Sequence, residues 1–458
     1  MQIVLTSRDC DPLIREAIWS WLIQHLPGWE EFEVVGSAKY LGLFIGPTAQ
    51  MKQWRASLFK WKERAKEIAK THCAASIASS LYNIRAIPVL GYIGQFTMLP
   101  KQFEEWERYV LHNLIHVPGN SFPLQAFFNF GKFGGKNFNS GRVATISALY
   151  RAARNTDAWK ELYDDLHETA EYHSPTKNFG RDLLAPAGWD SGAFVAYQYG
   201  VIHGNQLIGQ WKAQCLAMHN DVEPIAMAHP KWGLQKIANS LLTKSLTKFE
   251  WRPWLAKRLR IAFKLPLERV NEEKVVKIAE ALRDLPPHTC MASVKTLMNA
   301  WCTSHRFHEP VLLPCIFGCA HKKDDLEHYL WCGTFKEICQ AATKEFFADD
   351  LQGKIGLSDA KPTRLDFVHV ACMFTTYHTI RNTYAHLLHP RMRIQEFDRI
   401  NSHAFSICTV AWNDLSSCLS SSEKPQFHFL LLVFLAHLAQ AWPSLTVLRP
   451  LFFAHIYI

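Results

Sequence analysis

Three cysteines and one histidine fall within eighteen residues of this chain, at Cys315, Cys319, His328 and Cys332. Their spacing is Cys-x3-Cys-x8-His-x3-Cys, in which a first pair sits on a tight turn and a second pair lies one helical turn further on. Because residues i and i+4 share a face of a helix, His328 and Cys332 can reach one ion. Thiolate and imidazole are the ligands of tetrahedral zinc, and four protein ligands leave no position for a reactive water. The pattern therefore predicts a structural zinc site.

Two features leave alternatives open at this site. The chain has 12 cysteines, and buried free thiols are common, although the other nine cysteines are well separated in the sequence. The first gap is three residues rather than the commoner two, and Gly318 relieves the turn that it requires. His321 and Cys339 lie close enough in the sequence to compete as ligands. Clustering favours a metal site over a chance grouping.

Length and composition limit the class of protein. A chain of 458 residues is expected to form two to four compact units. Hydrophobic residues make up 48% of it, with 16 Trp and 29 Phe, which indicates folded structure rather than disorder. The net charge of +9 favours an anionic partner. The residues after Met1 lack a secretory pattern and the cysteines lack disulfide spacing, so we expect an intracellular location, in nucleus or cytoplasm.

The hydrophobic periodicity predicts a mainly α fold with a small β element near the N-terminus. Residues 32–46 carry the strand pattern, as a hairpin or as two adjacent strands. The segments that carry the helical pattern are 12–26, 52–82, 101–116, 141–155, 291–304, 334–350, 365–388 and 395–420. We therefore expect a helical protein of several units with a small subdomain held together by zinc.

Two of the predicted helices are strongly basic on one side. In the segment 52–82, which is one long helix or a helix pair, the apolar side includes Trp54, Leu58 and Trp61. The opposite side carries Lys52, Arg55, Lys60, Lys62, Arg64, Lys66 and Lys70. A second basic set, Arg252, Lys257, Arg258 and Arg260, stands beside Trp251 and Trp254. Such one-sided charge predicts contact with nucleic-acid phosphates, and an ordinary solvated helix face is the alternative.

Two further stretches resemble functional motifs superficially. The glycines of residues 131–136 do not form a phosphate loop, since Phe130 stands where the first glycine belongs and Asn137 replaces the required Ser or Thr. We expect a turn before the helix at 141 instead. Residues 427–442 are free of formal charge but shorter than the roughly 20 residues that cross a bilayer. A buried terminal helix is expected there, and a membrane segment is the alternative.

Several short motifs, taken in order, resemble a known family. The run Lys39-Tyr-Leu-Gly-Leu-Phe-Ile-Gly46, the basic helix after it, and Tyr82-Asn-Ile-Arg-Ala-Ile-Pro88 are similar to the end of the palm and the thumb of non-LTR (LINE-type) retrotransposon reverse transcriptases. Trp301-Cys-Thr-Ser-His-Arg306, followed by the Cys/Cys/His/Cys set, resembles the zinc-binding C-terminal region of many such elements. The resemblance covers about residues 1–340.

The family's catalytic aspartates have no counterpart at the expected place. They lie in a Tyr/Phe-x-Asp-Asp hairpin ahead of the Tyr-Leu-Gly strand, and hold two Mg²⁺ ions. Only Asp9 and Asp11 occur near that position, without a hairpin pattern. The literal match at 347–350 lies on a helical pattern after the zinc ligands, and Tyr163-Asp164-Asp165 lacks the spacing. The resemblance therefore implies a chain that lacks the fingers and the catalytic palm. Such a chain is expected to bind nucleic acid but not to polymerise it.

On this resemblance the chain divides into six predicted units. They are a palm remnant over 1–50, a thumb-like unit over 51–120, a helical connecting region over 121–285, a zinc-binding subdomain over 286–345, a helical C-terminal region over 346–424 and an apolar tail over 425–458. The implied partner is RNA, DNA or their hybrid, and Trp301, Arg306, Lys322 and Lys323 are expected near the surface of the zinc subdomain. The alternative is a helical interaction protein that a structural zinc stabilises and that residues 427–442 attach to a membrane.

Overall fold

The fold is mainly helical with a small β element near the N-terminus, as the sequence predicts. It is described from a computed structural model. The residues that the structure describes are 2–4, 12–26, 28–29, 31–40, 42–45, 49–152, 221–222, 224–229, 233–344, 355, 363–385, 387–389 and 392–416.

The β element consists of two short pairs of strands. Strand β1 (Gln2–Val4) pairs in parallel with β2 (Glu33–Val35), and helix α1 (Pro12–His25) lies between them in the chain. Strands β3 (Ala38–Tyr40) and β4 (Leu43–Ile45) form an antiparallel hairpin. The sequence predicted that the segment at 32–35 would neighbour a single strand over 38–46. That longer segment instead folds back on itself at Gly42, whose φ of +88° favours glycine.

The helices follow in chain order and account for most of the described residues. Up to residue 152 they are α2 (Ala49–Gln53), α3 (Arg55–Lys70), α4 (Ala75–Leu81), α5 (Pro88–Gly94), α6 (Phe103–Leu114), α7 (Leu124–Phe128) and α8 (Gly141–Ala152). From residue 233 onward they are α9 (Leu234–Leu246), α10 (Trp251–Phe263), α11 (Glu272–Arg283), α12 (Pro287–Leu297), α13 (Ser304–Phe307), α14 (Leu326–Trp331), α15 (Gly333–Thr343), α16 (Arg364–Thr383) and α17 (Ile394–Ser416).

Local sequence signals explain where several helices begin and end. Thr363 and Asp366 form a reciprocal capping box at the start of α16, which satisfies two backbone N–H groups that would otherwise lack acceptors. Asn271 caps α11 by accepting the N–H of Lys274 at 2.9 Å. The basic segment 52–82 is divided, because α3 ends before His72, whose φ of +49° breaks the helix. The segment 52–82 therefore contains the end of α2, all of α3 and all of α4, rather than one long helix or a helix pair.

The glycine-rich stretch at 131–136 forms a turn, as predicted, and not a phosphate loop. Gly131 donates its N–H to Asn137 Oδ1 at 2.6 Å, and Gly134 has a φ of +84°. A side chain at position 134 would place its Cβ 2.6 Å from the carbonyl oxygen of Leu282. Close packing against α11 therefore requires glycine at this position.

A connected cluster of buried side chains runs through the helices from Trp54 to Ala411. Trp61, Phe127, Trp301 and Tyr377 all belong to it, although they come from four of the six predicted units. A smaller cluster joins α8 to α9 around residues such as Ile146 and Ile237. Helices on both sides of residues 153–220 contribute side chains to both clusters. The division of the chain into six units stays a prediction.

Glu107 is a buried carboxyl group in the larger cluster. Its Oε1 accepts hydrogen bonds from the Tyr82 hydroxyl at 3.1 Å and from Gly141 N–H at 2.8 Å, and Trp61 donates to the same hydroxyl at 3.2 Å. Burial raises the pKa of Glu107 to about 8 in spite of these hydrogen bonds. The carboxyl group therefore takes up a proton on folding throughout the range between its ordinary pKa and this one.

We expect Glu107→Gln to flatten the pH dependence of stability. Since the folded state binds the extra proton, the free energy of unfolding of the wild type falls as pH rises from about 4.5 to about 8, by roughly 1.4 kcal/mol per pH unit. Gln keeps an acceptor for Tyr82 and Gly141 but does not titrate. Denaturant melts across that range measure the difference. Glu104→Gln, at an exposed carboxylate on the same helix, is the control that keeps the wild-type slope.

Candidate metal centre

A tight turn presents the first two cysteines. Cys315 N–H donates to Lys322 O at 2.9 Å, and Pro314 and Lys323 form an antiparallel bridge, so the loop closes on itself. Within the loop, Gly318 N–H donates to Cys315 O at 3.1 Å. The φ of Gly318 is +89°, and a Cβ there would lie 3.1 Å from the ring of Phe397. Glycine is therefore required both by the backbone conformation and by the packing of α17.

The second pair of residues stands at the junction of two short helices. Asp325 caps α14 by accepting His328 N–H at 2.8 Å. The sequence predicted that His328 and Cys332 would share one helix face. Helix α14 ends at Trp331, and Cys332 is its C-cap residue, with its Sγ accepting the N–H of Phe335 at 3.4 Å at the start of α15. Because the φ of Cys332 is −62°, its side chain still continues the helix face on which His328 lies, and the chain leaves the helix only after Cys332.

The four side chains converge on one point and form a group that could hold a metal ion. One ligand atom from each of Cys315, Cys319, His328 and Cys332 lies within 4.8 Å of all the others. Cys332 Sγ lies 3.8 Å from Cys315 Sγ and 3.3 Å from Cys319 Sγ. A tetrahedral zinc ion with bonds of about 2.3 Å holds its sulfur ligands about 3.8 Å apart. The donor set and its spacing therefore fit zinc.

The surroundings of the four ligands favour a metal over ordinary packing. His328 Nε2 is buried without a hydrogen-bond partner in the described part of the chain, which is costly for an imidazole unless it binds something. The hydrogen bond from Cys332 lowers the pKa of Cys315 to about 4. The same hydrogen bond, together with burial, raises the pKa of Cys332. One thiol of the pair thus ionises readily because its neighbour stabilises the thiolate.

The two competing ligands lie elsewhere. His321 is exposed, with a φ of +53° on the loop. Cys339 is fully buried one helix further on and interacts with Cys408, whose Sγ lies 3.4 Å from Cys372 Sγ. These three thiols join α15, α16 and α17 as part of the hydrophobic core. Neither residue belongs to the group of four.

Asp324 is the residue at this site that the sequence did not single out. It is fully buried, although it lies between charged neighbours that suggest a solvated loop. Its Oδ1 accepts the hydroxyls of Tyr329 at 2.6 Å and Tyr377 at 2.7 Å. Its Oδ2 accepts Ser304 N–H at 2.6 Å and Arg381 Nη1 at 2.9 Å. The carboxylate fixes the loop between the ligands to α13 and α16, and no short motif marks such a long-range role.

Of the four residues expected near the surface of the zinc subdomain, Trp301 is misplaced. Lys322 and Lys323 are exposed and Arg306 is partly buried, but Trp301 is fully buried. Its ring stacks on Tyr377 with 5.0 Å between centroids, and its Nε1 donates to Thr296 Oγ1 at 2.8 Å. A large ring gains more from removal from water than from solvent contact. Trp301 is therefore a core residue and not a nucleic-acid contact.

The first basic set lies on α2 and α3, largely facing solvent. Lys52, Arg55, Lys60, Lys62, Lys66 and Lys70 are exposed, and Arg64 is partly buried. Lys52 donates to Ser37 Oγ, Arg64 to the carbonyl of Arg85, and Lys62 lies 4.6 Å from the centre of the Trp106 ring. Lys66 pairs loosely with Glu63 at 3.9 Å. No carboxylate of the described residues lies within 4.0 Å of Arg55, Lys60 or Lys70.

The four members of the second basic set differ in their exposure on α10. Arg252 and Lys257 are exposed, and Arg252 lies 5.7 Å from the centre of the Trp251 ring. Arg258 and Arg260 are partly buried, and the Nε of each is buried without an acceptor among the described residues. Arg258 uses Nη2 to donate to Met298 O at 3.2 Å. Phosphate contact by all four of these residues stays a prediction. Two of them, Arg252 and Lys257, are exposed.

No protein-family model, curated protein or solved structure matches this chain. Among the described residues no helix is long and apolar enough to span a membrane. The apolar tail at 427–442 and the aspartates at 9, 11, 164, 165, 349 and 350 lie outside the described residues. The sequence also predicts mostly helical structure over 157–240, and residues 157–220 of that stretch lie outside them too. Evidence on function therefore comes from the metal-binding group and from the placement of charge.

We expect Asp324→Asn to destabilise the protein by about 3–5 kcal/mol. The substituted amide would direct an N–H₂ group toward donors that now bond to the carboxylate, and Arg381 would lose its buried partner. Asp325→Asn is the matched control, because Asn caps a helix as well as Asp does. Urea denaturation measures both free energies of unfolding. Equal stability of the two variants would contradict the role assigned to Asp324.

Proposed function

We propose that this protein binds nucleic acid and corresponds to the C-terminal part of a LINE-type reverse transcriptase, with a structural zinc ion in the Cys/Cys/His/Cys group. The observation that carries the proposal is the basic side of α3, where Arg55, Lys60 and Lys70 face solvent without carboxylate partners in the described part of the chain. The order of motifs in the sequence supplies the family, and the net charge of +9 agrees with an anionic partner.

The packing of α3 fixes this basic side toward solvent. Leu58, Trp61, Ala65 and Ile68 are buried along the opposite side of the helix. Trp61 is fully buried and its ring contacts Phe103 at 5.0 Å between centroids. Rotation of the helix would expose these side chains at a cost of several kcal/mol. The cations are therefore held as a fixed row that can track the phosphates of a duplex without reading its sequence.

The zinc ion would order the loop at 315–332 rather than take part in a reaction. Four protein ligands complete a tetrahedral shell, so a bound zinc ion would have no position for substrate. Binding of the metal would neutralise thiolates that burial disfavours and would satisfy His328 Nε2. The ordered loop carries Lys322 and Lys323 on its exposed side, next to the ligand turn. The metal thus supports a surface that can contact phosphate.

The purified protein is expected to contain about one zinc ion per chain. Cys332→Ser removes a ligand and should reduce the zinc content to a small fraction of that value, whereas Cys73→Ser, at a partly buried thiol outside the group, should leave it unchanged. Elemental analysis after expression in zinc-supplemented medium gives the content. Protein that folds without zinc would rule out the structural role.

The triple variant Arg55→Gln, Lys60→Gln, Lys70→Gln is expected to weaken binding to an RNA–DNA hybrid by at least about tenfold. Loss of three phosphate contacts should reduce the slope of log affinity against log salt by roughly 2–3. Fluorescence anisotropy between about 0.05 M and about 0.2 M salt measures both quantities.

The matched control removes three lysines that already have ion-pair partners. Lys248, Lys264 and Lys277 are exposed and lie near Glu250, Glu327 and Glu273. Their replacement by Gln changes the net charge equally and should alter affinity by much less. If both triple variants lose affinity equally, the basic side of α3 is not the binding surface. Absence of hybrid binding by the wild type at low salt would refute the proposed function.

A further inference from the structure

Two arginines meet at the turn that follows α12. The helix ends at Leu297, Asn299 is left-handed with a φ of +50°, and Ala300 N–H donates back to Lys295 O at 2.8 Å. Arg258 Nη2 donates to the carbonyl of Met298 at 3.2 Å. Arg306 Nε donates to the carbonyl of Asn299 at 3.0 Å. Carbonyls of consecutive residues therefore anchor the two guanidinium groups side by side.

Neither guanidinium has a counter-charge among the described residues. No carboxylate of this part of the chain lies within 4.0 Å of either side chain. Both side chains are partly buried, and Arg258 Nε is buried without an acceptor. Burial lowers the pKa of each, and the charge of Arg306 lowers that of Arg258 further. A buried donor without an acceptor is destabilising, and two adjacent cations repel each other, so an anion that contacts both groups would stabilise the pair.

We propose that Arg258 and Arg306 together bind one phosphate group of a nucleic-acid backbone. That the phosphate group belongs to a nucleic acid rests on the proposed function. That the site binds a phosphate group rests on the arginine pair alone. The position lies at the base of the zinc subdomain and on the partly buried side of α10, so it is distinct from the basic side of α3.

The number and direction of the free donors favour phosphate over a carboxylate. A guanidinium group has five N–H donors in a planar fork, and each of these two groups uses only one donor nitrogen on the turn. A single fork suffices for the two oxygens of a carboxylate. Two forks side by side match a phosphate, whose oxygens accept from several directions and carry more charge.

Arg260 does not belong to this pair. Two residues apart on a helix do not face each other, so Arg258 and Arg260 point to different sides of α10. Arg306 is also distinct from its neighbour Arg381, which binds Asp324 and Glu309 and is therefore charge-compensated. Only Arg258 and Arg306 combine mutual proximity, partial burial and the lack of a carboxylate at this turn.

The experiment compares Arg306→Lys and Arg306→Gln with Lys277→Gln, which removes an exposed charge that is paired with Glu273. Affinity for an RNA–DNA hybrid is measured by anisotropy, and the melting temperature is measured in sodium phosphate against sodium chloride of equal ionic strength. Arg306→Gln should weaken hybrid binding by about tenfold, the effect of one charge-assisted contact. Arg306→Lys should lose part of this affinity because the ammonium group cannot bind as a fork. The control should bind as the wild type does.

The melting temperatures in phosphate and chloride distinguish a phosphate group of nucleic acid from free inorganic phosphate as the bound anion. The proposal is supported if phosphate raises the melting temperature of the wild type but not that of the two Arg306 variants, and if both variants also bind the hybrid more weakly. Phosphate stabilisation with unchanged hybrid affinity overturns the nucleic-acid source. Arg306 variants that match Lys277→Gln in both arms overturn the site and leave the proposed function standing, since the α3 variants test that separately. Arg258→Lys repeats both arms, so a folding defect in one variant does not decide the result.

Discussion

The buried carboxylate of Asp324 is the constraint on which the metal-binding part of the structure depends. A charge that is fully removed from water must be compensated by hydrogen bonds and an opposite charge, or it destabilises the fold. Here two tyrosine hydroxyls, one backbone N–H and one guanidinium group satisfy both oxygens. The partners come from α13, α14 and α16. The geometry of the four ligands is consequently coupled to the core of the protein.

The same loop shows how local and long-range requirements coincide. Gly318 turns the chain between the first two ligands and at the same time allows Phe397 of α17 to approach. Asp324 faces the core, the next residue Asp325 caps α14, and Cys332 accepts an N–H at the start of α15. Adjacent residues thus serve a helix terminus and a buried network. A change at one of them affects the ligands through the backbone, even where the side chain does not touch a ligand.

Charge placement separates the cations of this protein into two kinds. The cations on α3 are exposed, and the opposite side of the helix is apolar and buried. Salt therefore screens their attraction for an anion. Those at the turn after α12 are partly buried and fixed by backbone carbonyls, so they can act at short range with defined geometry. Long-range attraction followed by local fixation of a phosphate is a consistent arrangement for a protein that binds a polyanion. In the proposed function both kinds of cation would contact the phosphate backbone, which carries no sequence information.

The sequence by itself determined the helical class, most helix positions and the four residues that could hold a metal ion, because periodicity and the spacing of Cys and His are properties of short segments. It also indicated which side of α3 is basic. Tertiary structure alone decided that the strand segment at 38–45 folds into a hairpin, that Trp301 is buried, and that Cys339 joins Cys372 and Cys408. It also decided that Asp324 is a core residue and that Arg258 meets Arg306. Most of these outcomes depend on partners that are distant in the chain, such as Cys372 and Cys408 at a separation of 36 residues and Asp324 and Arg381 at a separation of 57, and only packing determines which of those partners meet.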